Sequence, residues 1–139
     1  MTRDLKESDV LEKRPRIVIL EDDDLLREIT AFRLELLGYE VVEAESVDTA
    51  LRSVRERLPE AIIMDLAIAS ADALDVINVL KNNPQTNAAP ILVFSTDADL
   101  ELVQKAFEAG ASDYLVTPYD PATLQSKLEQ IVETASAVV

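Results

Sequence analysis

Neither cysteine nor histidine occurs anywhere in the 139 residues, and tryptophan is also missing. Without cysteine there is no disulfide framework, and without either residue there is no thiolate or imidazole zinc site. A Ser-His-Asp or Cys-His nucleophile is equally impossible, and the chain cannot itself carry a phosphohistidine. Glycine is nearly as scarce. Only Gly38 and Gly110 are present, so neither a G-x-G-x-x-G dinucleotide turn nor a G-x-x-x-x-G-K-[ST] phosphate loop can be written. Cations are outnumbered, 13 Lys and Arg against 27 Asp and Glu, for a formal charge of -14. Such a surface repels phosphate backbones and anionic lipid, so direct nucleic-acid binding and membrane attachment are not expected. No apolar run approaches the roughly eighteen residues of a membrane span, and the charged N-terminal stretch lacks the apolar core of a secretion signal. A cytoplasmic protein is the expectation.

What is present is a chain of one domain's length with 48% hydrophobic residues, enough to bury a core. The segment 1–15 alternates charges with few large apolar side chains and reads as a flexible charged tail. A folded unit is expected over 16–136, with 137–139 as its C-terminal end. Within that unit short β-branched runs alternate with helical patterns. Ile17-Val18-Ile19-Leu20, Tyr39 to Glu43, Ala61-Ile62-Ile63-Met64, Ile91-Leu92-Val93-Phe94 and Tyr114-Leu115-Val116 read as strands. Between them, apolar residues recur at three- and four-residue steps, as in Leu25, Leu26, Ile29, Phe32, Leu36 and Leu37, or Leu124, Leu128, Ile131 and Val132. Strands that are apolar without alternation need cover on both faces, which predicts an α/β, doubly wound parallel sheet with helices on either side. In such sheets the functional crevice lies at the carboxyl ends of the strands.

The residues at those ends are unusual. The first strand runs into Glu21-Asp22-Asp23-Asp24, the third into Asp65, the fourth into Ser95-Thr96 and the fifth into Thr117-Pro118. Asp23 or Asp24 is accounted for as the cap of the following helix, where free N–H groups and the helix dipole favour an acid. Four acids in a row exceed that need. If Glu21, Asp22 and Asp65 converge to about 5 Å, each pair costs on the order of 3 kcal/mol at an effective dielectric of about 20, so the cluster needs a cation or a proton. Oxygen donors without imidazole or thiolate select Mg²⁺ or a similar hard ion. An Asp beside such an ion can also act as a nucleophile toward phosphorus.

From about Arg16 to Ser136 the sequence resembles the receiver domains of two-component response regulators. Ile17 to Asp23 looks like the family's first strand and its acidic pair, and Ile62-Ile63-Met64-Asp65 like the third strand and its phosphoacceptor. Gly110 to Tyr119 resembles the stretch spanning the fifth strand. The resemblance implies a flavodoxin-like strand order 2-1-3-4-5 and Asp65 as the phosphoacceptor. It implies Mg²⁺ held by Glu21, Asp22, Asp65 and the Ala67 carbonyl, with Ser95 and Tyr114 as the switch pair. The partners implied are a sensor histidine kinase or phosphotransfer protein, and a downstream protein docking on the face formed by the fourth helix, the fifth strand and the fifth helix.

Three positions depart from the pattern. Thr117 stands where the family has a lysine, which removes an ammonium from the phosphate pocket. Ala69 and Ala73 stand where the loop after the acceptor carries Pro and Gly, so a positive φ at Ala73 would be strained. Thr96 replaces a small residue near phosphate access. The expected function is a phosphorelay switch that acts through another protein and is not an enzyme. The alternative is a degenerate receiver, a phosphorylation-independent interaction module, and a third reading is a Mg²⁺-dependent phosphohydrolase. Glu101, Glu108, Glu129 and Glu133 read either as solvated surface or as an acidic docking face for a basic partner.

Overall fold

The computed structural model of the chain describes residues 14–69, 71–96 and 100–137. Among these, five strands, β1 (Arg16–Leu20), β2 (Glu40–Ala44), β3 (Ala61–Asp65), β4 (Ile91–Ser95) and β5 (Asp113–Val116), alternate with five helices. The helices are α1 (Asp24–Leu36), α2 (Val47–Glu56), α3 (Ala73–Lys81), α4 (Leu100–Ala109) and α5 (Pro121–Ala137). Every strand pair is parallel and the order is β2-β1-β3-β4-β5, so the chain has the flavodoxin-like receiver topology.

Successive side chains of a strand point to opposite faces, and the apolar runs supply both faces at once. Val18, Leu20, Ile62, Met64 and Val93 pack on one side with Val54 of α2, Ile77 of α3 and Ala106 of α4. Ile17, Ile19, Ile63, Leu92 and Phe94 pack on the other with Leu34 of α1 and Leu124, Leu128 and Ile131 of α5. The central strands β1 and β4 are buried along their whole length, as is β3 up to Asp65.

Helix starts follow the expected chemistry. Asp23 caps α1, its carboxylate accepting from the Leu26 N–H at 3.0 Å, and Asp72 caps α3 by accepting from the Leu74 N–H at 2.9 Å. With Asp72 extended at φ -75, Ala73 simply opens the helix. Among the described residues only the two glycines have positive φ, so the feared strain at Ala73 does not arise.

Helix α1 departs from what its apolar spacing suggested. Its buried face is Arg27, Thr30, Ala31 and Leu34, whereas Leu25, Ile29, Phe32, Leu36 and Leu37 are exposed. Ala31 and Leu34 of that face pack with Ile17 and Ile19 of β1, and a helix can carry two faces of the same period.

Residues 1–13 of the tail expected over 1–15, and 138–139 of the end expected over 137–139, lie outside the described residues. Pro15 already joins the sheet, its carbonyl accepting from the Glu40 N–H at 2.9 Å. Among the described residues no helix is long and apolar enough to cross a membrane.

Candidate functional site

The chain passes from β1 outward to β2 and then back to β3 on the other side of β1, which opens a crevice at the carboxyl ends of β1 and β3. Leu20 is in register with Met64, so the next residues, Glu21 and Asp65, emerge together at that edge. Carboxylate oxygens of Glu21, Asp22 and Asp65 lie within 4.8 Å of one another.

The three acids are held differently. Glu21 is 1% exposed; one oxygen, Oε2, accepts from the Asp23 N–H at 3.2 Å, while buried Oε1 has no hydrogen-bond partner. Burial pushes its carboxyl up to about 8, a hydrogen bond to Asp65 adds to this, the Asp23 N–H opposes it, and the charges of Asp65 and Asp22 raise it further. The raised Glu21 carboxyl is thereby biased toward its neutral form, which relieves charge on the cluster in the way a bound cation would. Asp22 is exposed and accepts from the Ala69 N–H at 3.0 Å, which ties the β1–α1 loop to the β3–α3 loop. Asp65 is half-buried, and its Oδ1 accepts from the Ala67 N–H at 2.8 Å.

The donor set fits a small hard divalent ion. It is all oxygen, part buried and part open to water, and it includes a buried oxygen that lacks a partner. Each carboxylate pair at this spacing repels by about 3 kcal/mol at an effective dielectric of 20, so a cation or a proton stabilises the arrangement.

Ser95 closes β4 and is buried, as is Thr117 after β5; Thr96 is exposed. The Thr117 N–H donates to the Ser95 carbonyl at 2.8 Å. The Thr117 hydroxyl leans toward the same oxygen at 3.5 Å, and the Thr117–Pro118 peptide is cis. The hydroxyl is therefore turned to the β4 backbone. Tyr114 sits further back on β5, half-buried, edge-on to Phe107 of α4 at 6.1 Å and 5.1 Å from Lys127 Nζ of α5. It belongs to the seam between β5 and its helices and not to the acidic cluster.

Sequence reasoning missed Arg27. This buried guanidinium donates to the Glu21 carbonyl at 2.8 Å, pairs with Asp24 at 2.8 Å and approaches Glu43 of β2 at 3.5 Å. It fixes the backbone of the acidic loop from behind. The available signal was its spacing of three, four and seven from Thr30, Ala31 and Leu34, the face that α1 buries.

Residues 17–129 match the family model of the response regulator receiver domain, and the chain belongs to that family. Among curated relatives, the phosphate regulon transcriptional regulatory protein PhoB of Klebsiella pneumoniae is 30% identical over 121 residues, covering 87% of this chain and 53% of its own length. The KDP operon transcriptional regulatory protein KdpE of Escherichia coli (strain K12) is 32% identical over 121 residues, covering 87% and 52%. The chain thus spans about half the length of these relatives. Among solved structures, a Chloroflexus aurantiacus J-10-fl protein assigned to the response regulators superposes with a TM-score of 0.83 at 32% identity, over 87% of this chain and 99% of its own. A sensor histidine kinase receiver domain from Pseudomonas aeruginosa PAO1, solved with a magnesium ion coordinated in its active site cleft, shares the fold with a TM-score of 0.79 at 24% identity, over 86% and 98%.

Proposed function

We propose that the chain is a phosphorelay switch in which Asp65 accepts a phosphoryl group from the phosphohistidine of a sensor histidine kinase or phosphotransfer protein. The observation that carries this reading is the convergence of three carboxylates within 4.8 Å at the β1–β3 crevice, one of them buried with an oxygen lacking a donor. Glu21, Asp22, Asp65 and the Ala67 carbonyl would hold Mg²⁺, which when bound neutralises charge on the phosphoryl oxygens. The Ala67 N–H holds Asp65 Oδ1 and leaves Oδ2 to attack phosphorus. The new O–P bond replaces the P–N bond of the donor, whose electron pair departs with the imidazole. The Ala69 N–H orients Asp22, and Arg27 steadies the Glu21 backbone.

Ser95 and Tyr114 convey the change to the α4-β5-α5 face, where a downstream protein reads it in the cytoplasm. Asp65 is a stoichiometric acceptor and not a turnover nucleophile. The folded unit over 16–136 performs this role, and nucleic acid is not bound directly. Incubation with acetyl phosphate and Mg²⁺ followed by intact-mass measurement tests the reading. The wild-type chain is expected to gain one phosphoryl group and Asp65→Asn none. A wild-type chain that gains nothing under these conditions leaves the phosphorylation-independent interaction module in its place, and modification that persists in Asp65→Asn overturns the acceptor.

A further inference from the structure

A cavity of about 500 Å³ lies at the amino end of β4 and β5, the opposite end of the strands from the acidic cluster. It arises where α5 outruns its strand. The 17 residues of α5 span roughly 25 Å, while the 4 residues of β5 span roughly 13 Å. Leu124 and Leu128 pack with the sheet. Their row continues at steps of three and four to Ile131 and Ala135, which line the cavity together with Pro90. The volume is that of a small-molecule site.

Polar groups of both signs line the same cavity. Lys81 is fixed in place, since its stem lies so close to Gly110 that a Cβ there would be 2.5 Å from Lys81 Cγ. Its ammonium donates to the Asn87 carbonyl at 3.0 Å and to the Ala89 carbonyl at 2.8 Å, and keeps a further N–H. The Ser112 hydroxyl accepts from the Ile91 N–H at 3.2 Å and keeps its own proton to donate. Asp113 Oδ1 accepts from the Tyr114 N–H at 2.8 Å and from Lys127 Nζ at 3.1 Å, while Oδ2 has no hydrogen bond among the described residues. Two donors and a carboxylate oxygen are thus held beside an apolar wall. Lys81 and Asp113 are the charged groups of the described lining, so a ligand with one charge meets one attracting group and one opposing group.

We propose that the cavity binds a zwitterion with an apolar side chain, of the free α-amino acid class. Its carboxylate meets Lys81 and Ser112, its ammonium meets Asp113 Oδ2, and its side chain lies against Pro90 and Ile131. A singly charged molecule of the same shape satisfies one pole and leaves the other desolvated without a partner. Asp113 also holds Lys127, which lies 5.1 Å from the Tyr114 ring centroid, so occupancy registers at Tyr114 as well. Neither a metal nor a phosphoryl group enters, and the proposal stands apart from the assignment of Asp65.

NMR titration of the full, unphosphorylated chain with millimolar L-phenylalanine, and in parallel with L-leucine, tests the site. Saturable shifts are expected at Ser112, Asp113 and Ile131. Phenylpropanoate and phenethylamine, which carry the same ring with one charge each, should bind at least about tenfold more weakly than L-phenylalanine. Asp113→Asn should weaken L-phenylalanine by a similar factor. Ala135→Trp fills the cavity from α5 and should abolish binding with an unchanged circular-dichroism spectrum. A chain that shows no saturable shift at these residues with either amino acid overturns the proposal. Equal binding of the singly charged analogues overturns it too, leaving an apolar slot, as does binding that is indifferent to either substitution.

Discussion

Raising the pH of the metal-free protein from about 5.5 to 8 should destabilise it through one group, Glu21. In the folded chain this carboxyl keeps its proton up to about 8, against an ordinary value of 4.5. Between those values the native state binds one more proton than the unfolded state, so stability is full at low pH and falls as pH rises, by about 1.4 kcal/mol per unit. Across the stated window the loss approaches ~3 kcal/mol, a large share of a small domain's stability. The window is unusually clean because the chain has no histidine, which leaves the α-amino group as the other expected titration there. Urea unfolding followed by far-UV circular dichroism, in EDTA at constant ionic strength, measures the slope directly. Glu21→Gln keeps the hydrogen-bonding shape without the ionisation and should flatten it. Mg²⁺ must displace the Glu21 proton, so its apparent affinity should rise with pH by up to about tenfold per unit below 8. Unfolding midpoints that stay level in the wild type, or a Gln variant with the wild-type slope, would refute the raised Glu21 carboxyl.

Asp22→Asn should lower Mg²⁺ affinity by an order of magnitude or more in a titration, since it removes the exposed carboxylate of the cluster; equal affinity in the variant dismantles the pocket. Thr117→Lys should strengthen the conformational response to beryllofluoride by roughly ten- to hundredfold in midpoint, the worth of a charge-assisted hydrogen bond of about 1.5 to 3 kcal/mol. The hydroxyl it replaces makes only a long contact of 3.5 Å to the Ser95 carbonyl, so little is lost. Chemical shifts of Ser95 and Tyr114 report the outcome, and a wild type that responds as readily shows that Thr117 is no lesion. Gly110→Ala should cost about 1–3 kcal/mol in a urea melt, because φ is +126 and a Cβ would lie 2.5 Å from Lys81 Cγ; undiminished stability would contradict that packing.

The strands were legible because Ile17 to Leu20 and Ile91 to Phe94 are apolar on both faces, a pattern that helices on either side must cover. The acids were legible because ionisable residues directly behind such runs emerge at the sheet's edge, as Glu21 and Asp65 do. Adjacent residues point in opposite directions, however, and nothing in Glu21-Asp22 said which would be buried. The structure buries Glu21 and exposes Asp22, and that difference decides where the proton sits. In α1, two faces of equal period competed, and burial went to Arg27, Thr30, Ala31 and Leu34, of which Ala31 and Leu34 pack with Ile17 and Ile19. Periodicity reports that a helix forms and leaves open which of its stripes meets the sheet.

The aromatic residues have an optical consequence. The chain holds three tyrosines and no tryptophan, so under excitation selective for tyrosine over phenylalanine its intrinsic fluorescence is tyrosine emission. Tyr39 is buried at the start of β2, remote from the acidic edge. Tyr114 rests edge-on to Phe107 and near Lys127. Tyr119 lies 5.6 Å from Phe94, under Arg33, with its hydroxyl 2.7 Å from that of Thr30. Two of the three tyrosines therefore lie within the segment from β5 to the start of α5, each with its own neighbours. Any rearrangement of that segment is written directly into the emission, without a label and without a background from indole.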